Sequence, residues 1–143
     1  NWLGGGSVFM PALDGKHVPI ELSLALHSDA GYNKDGKTTW GALSICTTDF
    51  NDGMLNSGIS RMASKDFARA LRDNLVQDMT ALYGDFGKRY LWDRNYSETR
   101  LPEVPSAIIE MLSHQSFPDM RIAQDPMGKF QIARSTTRPS CAM

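Results

Sequence analysis

Three features of the sequence predict an α/β fold in a single domain. Residues 20–26 read I-E-L-S-L-A-L, apolar with polar residues alternating early in the run, which suits a strand feeding a sheet. Residues 61–83 change to a helical period, with Phe67, Leu71, Leu75, Met79 and Leu82 at spacings of four, four, four and three. A second short apolar run, residues 107–110, ends in Glu110, and Pro102 and Pro105 keep the chain extended on its way in.

Taken in order, residues 1–16 are rich in Gly and small residues and carry Pro11 and an Asp14-Gly15 turn signal, so they read as a loop over the site or a broken edge. His17 ends that loop as a turn residue. The first strand then delivers His27 at its carboxyl end, where open α/β sheets place their binding crevices. The Asp35-Gly36 pair favours an antiparallel hairpin into a second strand over residues 38–47, carrying Trp40, Leu43, Ile45 and Cys46. Residues 49–58 are loop.

The long helix follows, with Ser60 or Ser64 as its N-cap, Gly84 as its stop, and Lys65, Asp66, Arg69, Arg72, Asp73 and Asp78 on its polar face. Residues 88–92 form a short strand and residues 95–102 a polar loop with Glu98 and Arg100, Arg94 just before it. After the Glu110 strand comes a short helix over residues 119–124, broken by Asp125-Pro126. Phe130, Ile132 and Ala133 begin a last helix that Thr136 to Pro139 stop early, leaving 136–143 as a disordered tail. No repeat, low-complexity tract or linker divides the 143 residues.

Composition excludes several classes. With 15 basic against 16 acidic residues the net charge is -1, which supplies no electrostatic footprint for nucleic acid or an anionic membrane. No apolar run approaches the roughly 20 residues of a membrane span. The opening Asn-Trp-Leu-Gly-Gly-Gly has neither the basic nor the apolar region of a signal peptide and reads as an internal cut. Cys46 reads as a buried thiol and Cys141 as an incidental tail residue; no C-x-x-C pair offers a structural zinc site.

His27 and Glu110, each at a strand end, are expected to face one another across one crevice. Their types suit metal-assisted hydrolysis: neutral imidazole binds zinc, zinc acidifies bound water, and a carboxylate off the metal moves the proton. Strand-end His and Glu also occur as satisfied structural residues, and the residue types alone leave both readings open.

The wording of the two segments goes further. L-S-L-A-L-H-S-D-A at 22–30 resembles the strand ending in a zinc-binding histidine, usually close to S-I-H-A-N-A, of the zinc-dependent N-acetylmuramoyl-L-alanine amidases. V-P-S-A-I-I-E-M-L-S-H-Q-S-F-P-D at 104–119 is similar to that family's P-A-V-L-V-E-x-G-F-L-S-N-x-x-D signature, and the order of elements between them matches over residues 18–134. The resemblance implies a three-layer sandwich with a mostly parallel, mixed central sheet flanked by helices. It implies Zn2+ as cofactor, His27 as a ligand, and Glu110 as the base activating zinc-bound water. The substrate would be peptidoglycan or a muropeptide, cut between the lactyl group of muramic acid and L-alanine, which implies an extracytoplasmic location.

Departures from the pattern set further expectations. The family's first strand, with a glycine-flanked histidine, and the glutamate ligand after it should precede His27, and neither is recognisable in residues 1–17. Catalytic zinc takes three protein ligands, so either the domain is incomplete at its N-terminus, with 1–17 a loop or truncated start, or the site has decayed; the start in mid-pattern and the short last helix favour the first. Glu21 sits six residues before His27 in one strand, about 20 Å away at 3.3 Å per residue, and cannot share a metal with it. Asp29 replaces the usual Asn and either orients the His27 ring or is simply solvated. Ser113 and His114, as sequence neighbours, do not suit a nucleophile and base; His114 is a candidate substrate contact. Arg94 and Arg100 are candidates for a peptide carboxylate or plain loop charge. A non-catalytic, cell-wall-binding or structural module of a larger secreted protein is the alternative reading.

Overall fold

A computed structural model describes residues 1–142, with side chains to residue 138. Four strands make one sheet, β1 (Ser23–Asp29), β2 (Ala42–Cys46), β3 (Lys88–Asp93) and β4 (Ser106–Ser113), in the order β1-β4-β2-β3. The sheet is mixed: β4 runs parallel to β1 and antiparallel to β2, and β2 runs parallel to β3. Parallel neighbours need a crossover rather than a tight turn. The long helix α1 (Met62–Tyr83) supplies it between β2 and β3. The α/β class and the mixed sheet are therefore as the sequence predicts.

Helix α1 forms where the apolar stripe predicts it. Phe67, Ala68, Leu71, Leu75 and Met79 are fully buried against Ala42 and Cys46 of β2 and Ala107 and Ile109 of β4. Each large side chain withdrawn from water contributes about 1.5–3 kcal/mol, which makes this stripe the main anchor of helix to sheet. The stripe ends one residue early, with Leu82 exposed. Gly84 closes the helix at φ 89°, its N–H bonded to the Thr80 carbonyl at 2.8 Å. The expected serine caps are used differently: the Ser60 hydroxyl accepts from the Met62 N–H, while buried Ser64 accepts from the Ser106 N–H of β4.

Several expectations are corrected. No hairpin joins the first two strands, because β4 lies between them. The Asp35 carboxyl instead closes a local turn, accepting the N–H groups of Lys37 and Thr38 and the Thr38 hydroxyl, and these donors hold its pKa down to about 2. The first strand starts at Ser23 rather than residue 20, where its N–H meets the Pro105 carbonyl and pairing with β4 begins. Within the polar stretch 95–102 lies a short helix, α2 (Ser97–Arg100). Residues 1–17 do not cover the His27 strand end. Asn1 bonds the Leu101 carbonyl and the Val8 N–H donates to Glu103, both in the segment leading into β4, nine and seven residues before Glu110.

The C-terminal part differs most. After α3 (Phe117–Gln124), helix α4 (Pro126–Ala142) runs straight through the residues expected to stop it, and Met143 alone lies outside the described residues. Packing overrides weak local propensity: Ile132, Ser135 and Thr136 are buried, and α4 docks along α1. Asp78, assigned to the solvent face, is the docking point. It receives the Ser135 hydroxyl at 2.7 Å, Gln131 at 3.3 Å and Arg138 at 2.9 Å. The Cys141 side chain lies outside the described residues.

Candidate active site

The parallel pairing of β1 with β4 sets His27 directly opposite Glu110. Successive strand side chains alternate between faces, so both share the face of Ala25 and Ile108, away from α1. That face carries a small apolar cluster of Leu43, Ile45 and Ile108 with Trp92 and Tyr96 beside it. His27 Nδ1 lies 3.8 Å from Glu110 Oε1. The two predicted residues are thus neighbours on adjacent strands rather than partners across a gap.

Glu110 is the more sheltered, with its side chain 14% exposed against 40% for His27. Its Oε2 is buried and has no hydrogen-bond partner among the described residues. Burial pushes its pKa up and Asp29 adds to the effect, against the opposing pull of His27, His114 and Arg89. A carboxyl with raised proton affinity and a free oxygen, facing an imidazole, has the chemistry of a general acid or base.

A third residue, which the sequence placed only in a polar loop, completes the cluster. Glu98 of α2 brings Oε2 to 2.9 Å from His27 Nε2. Its pKa is lowered first by its own backbone N–H, then by the Ser97 hydroxyl and, more weakly, by His27. No local pattern marks Glu98, because its meeting with His27 depends on where α2 sits.

The remaining predicted residues are placed as follows. Asp29 Oδ2 is engaged by Arg89 and by Trp40 Nε1, and Oδ1 takes the Ala30 N–H, so its partners are these and not the His27 ring. His114 Nδ1 lies 3.0 Å from the exposed Ser28 hydroxyl, one residue beyond His27. Ser113 is buried, donating to the Gly31 carbonyl, and forms no pair with His114. Arg100 bonds Asn95 at 2.7 Å and lies over the Phe50 ring, while Arg94 stacks on Trp92 and Tyr96. His17 pairs with Asp14 in the N-terminal loop. A cleft of about 690 Å³ lies beside that loop, and none of His27, Glu98 or Glu110 lines it. The site is identified by its chemistry, on an open face.

Solved structures share this arrangement of strands and helices. The N-acetylmuramoyl-L-alanine amidase of Clostridium difficile 630 superposes with a TM-score of 0.63 over 85% of this chain, at 16% identity. The fold is that of N-acetylmuramoyl-L-alanine amidases. The amidase Ami1 of Mycobacterium abscessus matches over 85% of the chain at 15% identity and a TM-score of 0.63. AmiC2 of Nostoc punctiforme matches over 92% at 11% identity and a TM-score of 0.60. The chain spans only 54–59% of the length of these amidases. No protein-family model matches the sequence, and no curated protein matches it at a significant level.

Zinc, implied by the sequence resemblance, does not fit on the described residues alone. The two ring nitrogens of His27 lie beside different carboxylates, Nε2 2.9 Å from Glu98 Oε2 and Nδ1 3.8 Å from Glu110 Oε1. A metal at either nitrogen therefore meets a single carboxylate, and two donors fall short of the three that hold catalytic zinc. Among the described residues no group of three or more His, Cys, Asp or Glu is arranged to hold a metal ion.

Proposed function

We propose that this chain carries the acid–base part of an amide hydrolase acting on peptidoglycan, at the bond between the lactyl group of N-acetylmuramic acid and L-alanine. The observation that carries the reading is the half-buried Glu110 carboxyl, one oxygen unpartnered, beside His27 on the amidase fold. Glu110 takes a proton from an attacking water and returns it to the leaving amine of L-alanine; its raised proton affinity suits both halves of that exchange. His27, on the same face, is placed to orient the water by accepting a hydrogen bond from it. A zinc centre belongs to this proposal only with further ligands from outside the described residues, and neither step above runs through it. A cell-wall substrate also places the working protein outside the cytoplasm. No helix of the described residues is long and apolar enough to cross a membrane.

The test is cleavage of purified muropeptides, read by mass spectrometry as free peptide with an L-alanine amino terminus. Zinc content of wild type and His27→Ala is measured in parallel by elemental analysis. Wild type is expected to release peptide and Glu110→Ala to do so about 10²–10⁴-fold more slowly, the range for loss of a general acid–base. Near-stoichiometric zinc that falls in His27→Ala would mean that further ligands complete the site. A folded wild type that leaves muropeptides intact, with and without added zinc, overturns the hydrolase reading.

A further inference from the structure

His27 is half-buried on an edge strand, and a histidine ring there is ordinarily free to turn about its side-chain torsions. Here it is flanked on both sides. Glu98 Oε2 stands within hydrogen-bond distance of Nε2, and Glu110 approaches Nδ1.

What makes the Glu98 contact more than a surface encounter is how firmly its turn is held. Thr99, the next residue, is fully buried and shares a 2.7 Å hydrogen bond with the equally buried Thr47 at the end of β2. The Thr99 carbonyl accepts from the Ser106 hydroxyl of β4 and from Arg61. Arg61 is 1% exposed, and its guanidinium also donates to the Arg100 carbonyl, so a buried cation spans the carboxyl end of α2. Arg100 in turn bonds Asn95 across the turn. The Ser97 hydroxyl donates to Glu98 Oε1, leaving Oε2 for His27. A four-residue helix on the surface is thereby fastened to the start of β4, the end of β2 and the start of α1. From this fastened turn Glu98 extends to the His27 ring.

We propose that Glu98 is a positioning residue of the site, which fixes the direction and the tautomer of the His27 ring. With the Nε2 proton directed at Glu98, neutral His27 presents Nδ1 as an acceptor toward Glu110 and the open face. A partner that fixes one ring nitrogen decides what the other can do. The catalytic consequence rests on the proposed hydrolase function; the geometric claim does not.

The test is long-range proton–nitrogen NMR of the ¹⁵N-histidine-labelled full chain, at about pH 9, where an ordinary imidazole is neutral. Wild type, Glu98→Ala and Glu98→Gln are compared, with melting curves confirming that each is folded; Glu98 is about two-fifths exposed, so its replacement leaves no buried gap. Wild-type His27 is expected to show a protonated Nε2 and a bare Nδ1. Glu98→Gln, which keeps an acceptor oxygen, is expected to preserve that pattern, and Glu98→Ala to lose it to a mixture of tautomers. The proposal is overturned by a wild-type ring without a proton on Nε2, by a Glu98→Ala spectrum equal to wild type, or by a Glu98→Gln spectrum like that of Glu98→Ala. In the muropeptide assay Glu98→Ala is expected to lower kcat about 10–100-fold, the range for partners that orient a functional histidine, with Glu98→Gln retaining most of it. Absence of cleavage by wild type counts against the hydrolase and leaves the NMR result to decide the role of Glu98.

Discussion

Replacing Asp119 by alanine tests the account of how the functional end of the sheet is held. Asp119 is fully buried. Its Oδ1 accepts the Trp40 N–H at 2.8 Å and the Ser116 hydroxyl at 2.9 Å, and its Oδ2 accepts the N–H groups of Gly41 at 3.1 Å and Ser113 at 2.9 Å. One carboxyl thus ties the entry to β2, the end of β4 and the first turn of α3. In Asp119→Ala the Ser116 hydroxyl can rotate to another acceptor, and the half-buried Trp40 amide can reach water. The Gly41 and Ser113 amides cannot, since both of their bonds are buried. An unsatisfied buried donor costs about 1–3 kcal/mol, so the variant should lose about 2–6 kcal/mol. That is a large share of the roughly 5–15 kcal/mol typical of a folded domain. Asp119→Asn keeps the shape but turns an amide NH₂ toward one donor pair, and should lose about 1–3 kcal/mol. Urea unfolding followed by tryptophan fluorescence measures both. A loss for Asp119→Ala within about 0.5 kcal/mol of wild type, the scatter of neutral surface changes, would refute the reasoning.

Three further outcomes are expected. Gly41 has φ 84°, and a Cβ there would stand 1.8 Å from the Gly87 carbonyl oxygen; Gly41→Ala should cost at least ~1–3 kcal/mol from backbone strain alone, seen as a lower melting temperature. Burial, with Asp93 adding to it, pushes the Cys46 thiol up to about 11. In a Cys141→Ser background the native protein should react with a thiol reagent at about pH 8 roughly two orders of magnitude more slowly than the urea-unfolded chain, and equal rates would contradict the burial. Because the folded-state pKa of Glu110 is raised, its contribution to stability is present below its unfolded-state value and lost as pH rises through the folded one. The stability of Glu110→Gln relative to wild type should therefore improve as pH rises from about 4, the unfolded-state value; a relative stability that falls as pH rises from there, measured from urea midpoints, would show the sign to be wrong.

What the sequence determined by itself is what short-range periodicity encodes. The stripe of Phe67, Leu71, Leu75 and Met79 is a property of a 3.6-residue repeat and needs no knowledge of the partner surface, so α1 was legible to within a residue or two. The apolar runs ending near His27 and Glu110 were legible as strands for the same reason, and with them two members of the site. Strand order was not legible, because a turn such as Asp35-Gly36 can be satisfied within its own four residues and need not pair the strands around it. The run of α4 through Thr136 and Pro139 was hidden because local propensity argues against it. It takes the packing of Ile132 and Thr136 and the Asp78 cluster to outweigh a few tenths of a kcal/mol for each threonine and about 3 kcal/mol for a proline within a helix.

Glu98 belongs entirely to the tertiary structure. A carboxylate in a polar loop carries no signal until buried Arg61 and the Thr99–Thr47 pair bring its turn against the strands and set it on the His27 ring. Residue types and local spacing therefore sufficed for the helix, the strands and two of the chemical groups. Which groups meet was decided by long-range contacts, because a side chain's partners depend on how distant segments pack and not on its neighbours in the chain.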